Sequence, residues 1–256
     1  MTRAIGRPIL GLMMLAGLTA GAPLCAEDAP KNCDVPAYLL TSDSQLTRVA
    51  SAVKAGGPLD ILVVGSRSST IPGAEGDAYP ARLQAALREK LPGVTVNVST
   101  ELVPRKTAQD VAPDLGKFAE GKKPTLVVWQ TGTVDAIRSV DIDDFRGAVD
   151  TGVDVLQKAG ADVVLMNMQY SPRTETMISP TTYIDNMRVV AQQHDVPVFD
   201  RFAIMHQWNE SGEFDLFRAV RGVDLAKRVH DCLGRALSTF VIDTARINPA
   251  ELRIQR

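Results

Sequence analysis

The sequence predicts an α/β domain in which a central parallel sheet carries helices on both faces. Three observations support this. Short apolar runs rich in Val, Ile and Leu recur along residues 59–199. A segment with helical apolar spacing follows each run. The composition is that of an ordinary globular chain, with 256 residues, 45% hydrophobic and 23% charged. Fully apolar strands alternating with helices mean a parallel sheet covered on both sides.

The elements follow in order. Leu59 to Val64 is a β-branched-rich strand ended by Gly65, and Ala78 to Leu91 is a helix closed by Pro92-Gly93. Val94 to Val98 alternates as a short strand does, and Thr107 to Glu120 reads as a helix up to Gly121. Thr125 to Trp129 is a buried-type strand and Ile142 to Ala159 a helix capped by Gly160. Asp162 to Met166 is a strand, Thr181 to His194 a helix, and Val196 to Phe199 the last short strand. Leu225 to Phe240 is a final helix with Val229, Leu233, Ala236, Leu237 and Phe240 on one face. The expected organisation is an export signal over 1–26, an N-terminal extension over 27–57, the domain over 58–244 and a tail over 245–256.

The export signal rests on Arg3 and Arg7 ahead of an uncharged apolar stretch, Ile9 to Ala22, too short to span a bilayer comfortably. Cleavage is expected after Ala26, with Ala22 as the competing point and an uncleaved anchor as the alternative. Export leaves Cys33 and Cys232 as an even pair in an oxidising compartment, which favours a disulfide. The protein is then secreted or periplasmic. A net charge of -2 is not that of a nucleic-acid binder. Three Cys are too few for a Cys-rich zinc module, and no metal is expected. No glycine fingerprint or P-loop follows the first strand, so neither nucleotide nor any other cofactor is expected.

In such sheets ligands bind beyond the C-terminal strand ends, here 65–70, 99–106, 130–135 and 167–171. Three blocks at these ends resemble the SGNH (GDSL-type) hydrolase family. Val63-Val64-Gly65-Ser66-Arg67-Ser68-Ser69-Thr70 is similar to the strand ending in Gly-Asp-Ser. Val128-Trp129-Gln130-Thr131-Gly132-Thr133-Val134-Asp135 is similar to the Gly-x-Asn-Asp block. Gly222 before a Cys-containing terminal helix is similar to the closing Asp-x-x-His block. The resemblance covers about residues 58–240 and implies a three-layer, flavodoxin-like SGNH-hydrolase fold.

Carried over residue by residue, the resemblance puts Arg67 at the nucleophile and Val134 at the Asn that donates to the oxyanion, two residues after Gly132. The glycine donor falls near Val103 to Lys106, on Pro104, which has no N–H, or on Arg105. The closing Asp and His fall on Arg221 and Asp224. The blocks are therefore degenerate. Arg67 and Asp224 are expected to form an ion pair where a Ser–His pair stands in the family, with Arg221 nearby. Shifting the register by one residue makes Ser68, beside Ser66, the nucleophile, and a base must then come from His194, His206 or His230. His194 reads as a helix C-cap, His206 as a helix end and His230 as a helix flank. Asp141, Asp143 and Asp144 read as helix capping. Arg67, Arg105 and Lys106 could hold an anion at the strand ends.

Two functions remain. One is a pseudoenzyme that binds an envelope glycan, lipid or protein at the strand ends or serves a structural role. The other is a divergent esterase or deacetylase acting on acylated envelope glycans or lipids through Ser68. The sequence assigns no oligomeric state.

Overall fold

The computed structural model describes residues 1–2, 33–217 and 222–254. The expected signal over 1–26, with Cys25, lies outside them apart from the first two residues. The residues from Cys33 onward form one compact unit. Five parallel strands, β1 (Leu59–Gly65), β2 (Val96–Leu102), β3 (Leu126–Gln130), β4 (Asp162–Met166) and β5 (Val198–Phe199), lie in the order β2-β1-β3-β4-β5. The helices are α1 (Thr47–Lys54), α2 (Tyr79–Lys90), α3 (Ala108–Val111), α4 (Leu115–Lys122), α5 (Thr133–Arg138), α6 (Ile142–Lys158), α7 (Pro172–Glu175), α8 (Pro180–Gln193), α9 (Arg201–Glu210), α10 (Asp224–Thr244) and α11 (Pro249–Ile254).

Strand residues alternate between two apolar layers. Ile61, Val63, Leu126, Val128, Val164 and Met166 pack with α1, α2, α9 and α10. Leu62, Val64, Val127, Trp129, Val163 and Leu165 pack with α3, α4, α6 and α8. Every residue of β3 is buried, as its apolar run predicts, whereas the edge strand β2 alternates with polar residues such as Asn97 and Glu101. The chain leaves β1 to form β2 on one side, then crosses to β3 on the other. That reversal opens a crevice at the C-terminal ends of β1 and β3, where open α/β sheets take their ligands.

Four expectations change. The helix over 107–120 is three short pieces, because Pro113 has no N–H to continue a helix: α3, a 3-10 turn over Ala112–Asp114, and α4. The second strand starts two residues later than its alternating run and ends four residues later. Residues 33–57 are part of the domain, not an appendage. Leu46, Val49 and Val53 of this segment are buried in the core, and the first N–H groups of α1 (Arg48 and Val49) donate to the Asp162 carboxylate at 2.9 Å. The segment over 245–254 also packs inward, with Ala245 buried and Ile247 and Leu252 against the core.

The Cys33–Cys232 disulfide is formed, with a Cα–Cα distance of 5.3 Å. It ties the start of the unit to α10, beside the Trp208 indole N–H that donates to the Asp34 carbonyl at 3.0 Å. Replacing both cysteines by serine is expected to lower unfolding free energy by about 2–4 kcal/mol, read by chemical denaturation under oxidising conditions.

Candidate functional site

The loop after β1 carries the hydroxyls. Gly65 ends the strand, and a Cβ there would fall 2.9 Å from the Cβ of Ser69, so only glycine lets the loop fold back so closely. The loop then makes one 3-10 turn over Arg67–Ser69. Ser69 is buried, Ser66 and Ser68 are half-buried, and Arg67 is exposed.

These hydroxyls meet a buried polar network. Gln130, the last residue of β3, donates through Nε2 to Ser68 Oγ at 2.7 Å and to Ser66 Oγ at 3.4 Å. Its Oε1 accepts from Ser69 Oγ at 2.6 Å, Arg201 Nη1 at 3.1 Å and the Tyr79 hydroxyl at 3.4 Å. Three donors at one end of the amide fix its orientation. Arg201, the first residue of α9, is 0% exposed. It donates to Ser68 Oγ at 3.3 Å, the Ser68 carbonyl at 3.1 Å and Gln169 Oε1 at 3.0 Å, and its guanidinium lies 5.5 Å from the Tyr79 ring centroid. Every acceptor is neutral. No carboxylate pairs with Arg201 among the described residues.

Burial pushes Arg201 down to about 10, so it remains a cation at neutral pH. Burial, and then the Arg201 charge, push His230 down to about 3. The His230 Nδ1 accepts from the Tyr79 backbone N–H at 3.0 Å, so its other nitrogen carries the proton. Burial raises the Tyr79 phenol and keeps it a donor.

Ser66, Ser68, Gly132 and Val134 come together at the crevice. Gly132 is buried with φ +96 ahead of α5, and Val134 is half-buried within α5. Pro104 and Arg105 sit in an exposed turn after β2. Arg105 has φ 63, the left-handed backbone that favours glycine. The expected Arg67–Asp224 ion pair is absent. Both side chains are exposed, Asp224 opens α10 where an acidic residue is favoured by the helix dipole, and the cation beside the serines comes from α9 instead. Arg221 lies outside the described residues.

None of the histidines meets Ser68. His194 caps the C-terminus of α8, as expected, and contacts Asp150 at 2.7 Å. His206 lies inside α9 rather than at its end, 4.9 Å from the Tyr170 ring centroid and 3.5 Å from Glu210. His230 is buried within α10, not on a flank. Asp141 caps α6 by accepting from the Asp143 N–H at 2.9 Å. Asp77, in the loop before α2, pairs with Arg82 and, at 3.2 Å, with Lys227 of α10.

Residues 32–247 match the model of the Non-GDSL lipase-like family. The chain belongs to that family. A search of curated proteins finds no sequence match. Among solved structures, the lipase/acylhydrolase from Enterococcus faecalis is 20% identical, with a TM-score of 0.57 over 74% of this chain and 97% of that one. The psychrotrophic esterase EstA from Pseudoalteromonas sp. is 16% identical, with 0.55 over 70% and 94%. A two-domain esterase active on acetylated mannans is 13% identical, with 0.66 over 81% of this chain and 56% of that one. The Non-GDSL lipase-like family and this fold place the chain in the SGNH hydrolase-like superfamily.

In this Non-GDSL lipase-like protein, sequence reasoning missed Arg201 as a site residue and gave Gln130 and Gln169, which it placed at the strand ends, no role. The available signal was their position, each at or just past a C-terminal strand end.

His230 is expected to control the acid limb of stability. Its folded pKa lies below the unfolded value of about 6.5, so the unfolded chain binds the proton first and stability falls as pH drops from about 6.5 towards 3. His230→Asn keeps an acceptor for Tyr79 and removes the titration. Denaturation at several pH values is expected to show the wild type losing on the order of 1 kcal/mol more per pH unit than the variant over this range.

Proposed function

We propose that this protein is an exported member of its superfamily that binds a ligand of the cell envelope at the strand ends without hydrolysing it. One observation carries this reading. The three groups around Ser68 Oγ are the Gln130 amide, the Arg201 guanidinium and the Ser66 hydroxyl, and none of them is a base.

Serine hydrolysis needs a group that takes the hydroxyl proton. The chain has only three histidines. His194 and His206 are engaged elsewhere, and His230 is held far below neutrality with its Nδ1 occupied. The loop segment outside the described residues, Arg218-Ala219-Val220-Arg221, supplies neither imidazole nor carboxylate. The oxyanion side is also depleted, since Val134 has no side-chain donor where the family has Asn. A single such donor is worth about 10²–10³ in turnover. Export is supported by the basic and apolar start of the chain and by the Cys33–Cys232 disulfide. The esterase folds among its structural neighbours favour an acylated glycan or lipid of the envelope as the ligand.

Intact-mass spectrometry after fluorophosphonate treatment tests the reading. No adduct is expected, and p-nitrophenyl acetate hydrolysis is expected to be unchanged in Ser68→Ala. A stoichiometric adduct on Ser66 or Ser68 would establish the divergent-esterase alternative instead.

A further inference from the structure

A shallow cleft lies in the crevice between the ends of β1, β2 and β3. Its polar lining comprises Ser66, Lys106, Gln130, Thr131 and Thr133, and no Asp or Glu lines it. Ser66 and Gln130 both bond to the Ser68–Arg201 network beneath.

Three features give the cleft a preference. The first is charge. Arg201 is fully buried without a carboxylate partner, and burying an unpaired charge is costly unless an opposite charge comes close. The second is direction. Ser68 Oγ accepts from both Gln130 and Arg201, so its lone pairs are committed and its own O–H is left to donate. Its proton goes to Ser66 Oγ, 3.3 Å away, and that leaves the Ser66 hydroxyl in turn to donate outward. The third is an orphan. Thr133 lines the cleft, and its Oγ1, just beneath that surface, is shut from solvent and has no partner among the described residues. Such a buried polar atom calls for a missing partner, an ion or a ligand oxygen.

We propose that this cleft is a subsite for the terminal oxyanion of a ligand, a carboxylate or a phosphate, held by Lys106 and the hydroxyls of Ser66 and Thr133 above the Arg201 charge. The cleft has room for about one water-sized atom, so a single terminal oxygen enters it and the rest of the ligand lies outside. The inference rests on the reading that the site binds rather than hydrolyses, and it assigns the chemical class of what is bound.

Calorimetric titration with sodium acetate, sodium octanoate and inorganic phosphate, at low ionic strength matched with chloride, tests it. Saturable binding of at least one of these anions is expected. Affinity is expected to fall at least tenfold in Lys106→Ala and in Thr133→Val. Lys106 is exposed, so its variant is expected to keep the wild-type melting temperature. Saturation by phosphate alone assigns a phosphoryl group. Saturation by acetate or octanoate assigns a carboxylate, and a gain from acetate to octanoate adds an apolar tail. No saturation by any of the three, or binding untouched by both substitutions, overturns the subsite. A fluorophosphonate adduct on Ser66 or Ser68 overturns the binding-only reading beneath it. Absence of both adduct and saturation removes the subsite alone.

Discussion

A guanidinium with no exposed surface must find its partners among protein atoms, and the site is organised by where the two terminal nitrogens of Arg201 find theirs. Its partners come from the loop after β1, the end of β3 and the segment after β4. A single side chain from α9 therefore spans the part of the sheet where the strand order reverses. Its own position is fixed from behind. Asp200 caps α9 by accepting from the Ala203 N–H at 2.9 Å and from the Asn167 amide at 2.7 Å, while Asn167 Oδ1 accepts from the Phe202 N–H at 2.9 Å. Arg188 reaches Asp200 at 2.5 Å from α8. Asn167 is itself fully buried, so β4 and the start of α9 are held as one piece.

The same charge sets the behaviour of its neighbours. It draws the carbonyl end of Gln130 towards itself, which turns the amide nitrogen to the serines. It helps to hold His230 neutral, and that imidazole becomes a fixed acceptor for the first N–H of α2 instead of a base. It faces the Tyr79 ring, a favourable place for a cation that has lost its water. A hydrolase site separates proton donors from a proton acceptor. Here donors surround the hydroxyl on the protein side, and the imidazole of His230 accepts from the backbone of α2 instead.

Much of the fold is legible in the sequence because its signals are local. Leu126 to Trp129 can hardly be anything but a buried strand, and α6 shows its cap at Asp141 and its apolar face within its own residues. The misread elements take their signals from afar. The N–H groups that open α1 are capped by Asp162, 114 and 113 residues away, and its eight residues bury only Val49 and Val53. The site divides in the same way. Ser66 and Ser68 are legible because they follow a strand that ends in glycine. Arg201 is not, since an arginine at the start of a helix reads as a surface residue, and its burial depends on residues 32 to 133 positions away. The Arg67–Asp224 pair fails for the converse reason. Two exposed charges gain little from pairing, and nothing local brings them together.

The crevice and its chemistry have separate origins. The crevice follows from topology, since β1 lies between β2 and β3 and its end is left uncovered where the connections diverge. Any side chains placed on Gly65 to Thr70 and Thr131 to Val134 inherit that position. With a base nearby, a serine there would be a nucleophile. With a buried guanidinium and an amide nitrogen beneath it, the same oxygen has both lone pairs engaged and only its proton to offer. A donor is what an anion requires, whereas a nucleophile needs a base to accept that proton. The sheet, the layers and the loop geometry therefore fix where the crevice lies, while the side chains set around it, Arg201 and Gln130 among them, fix what it offers.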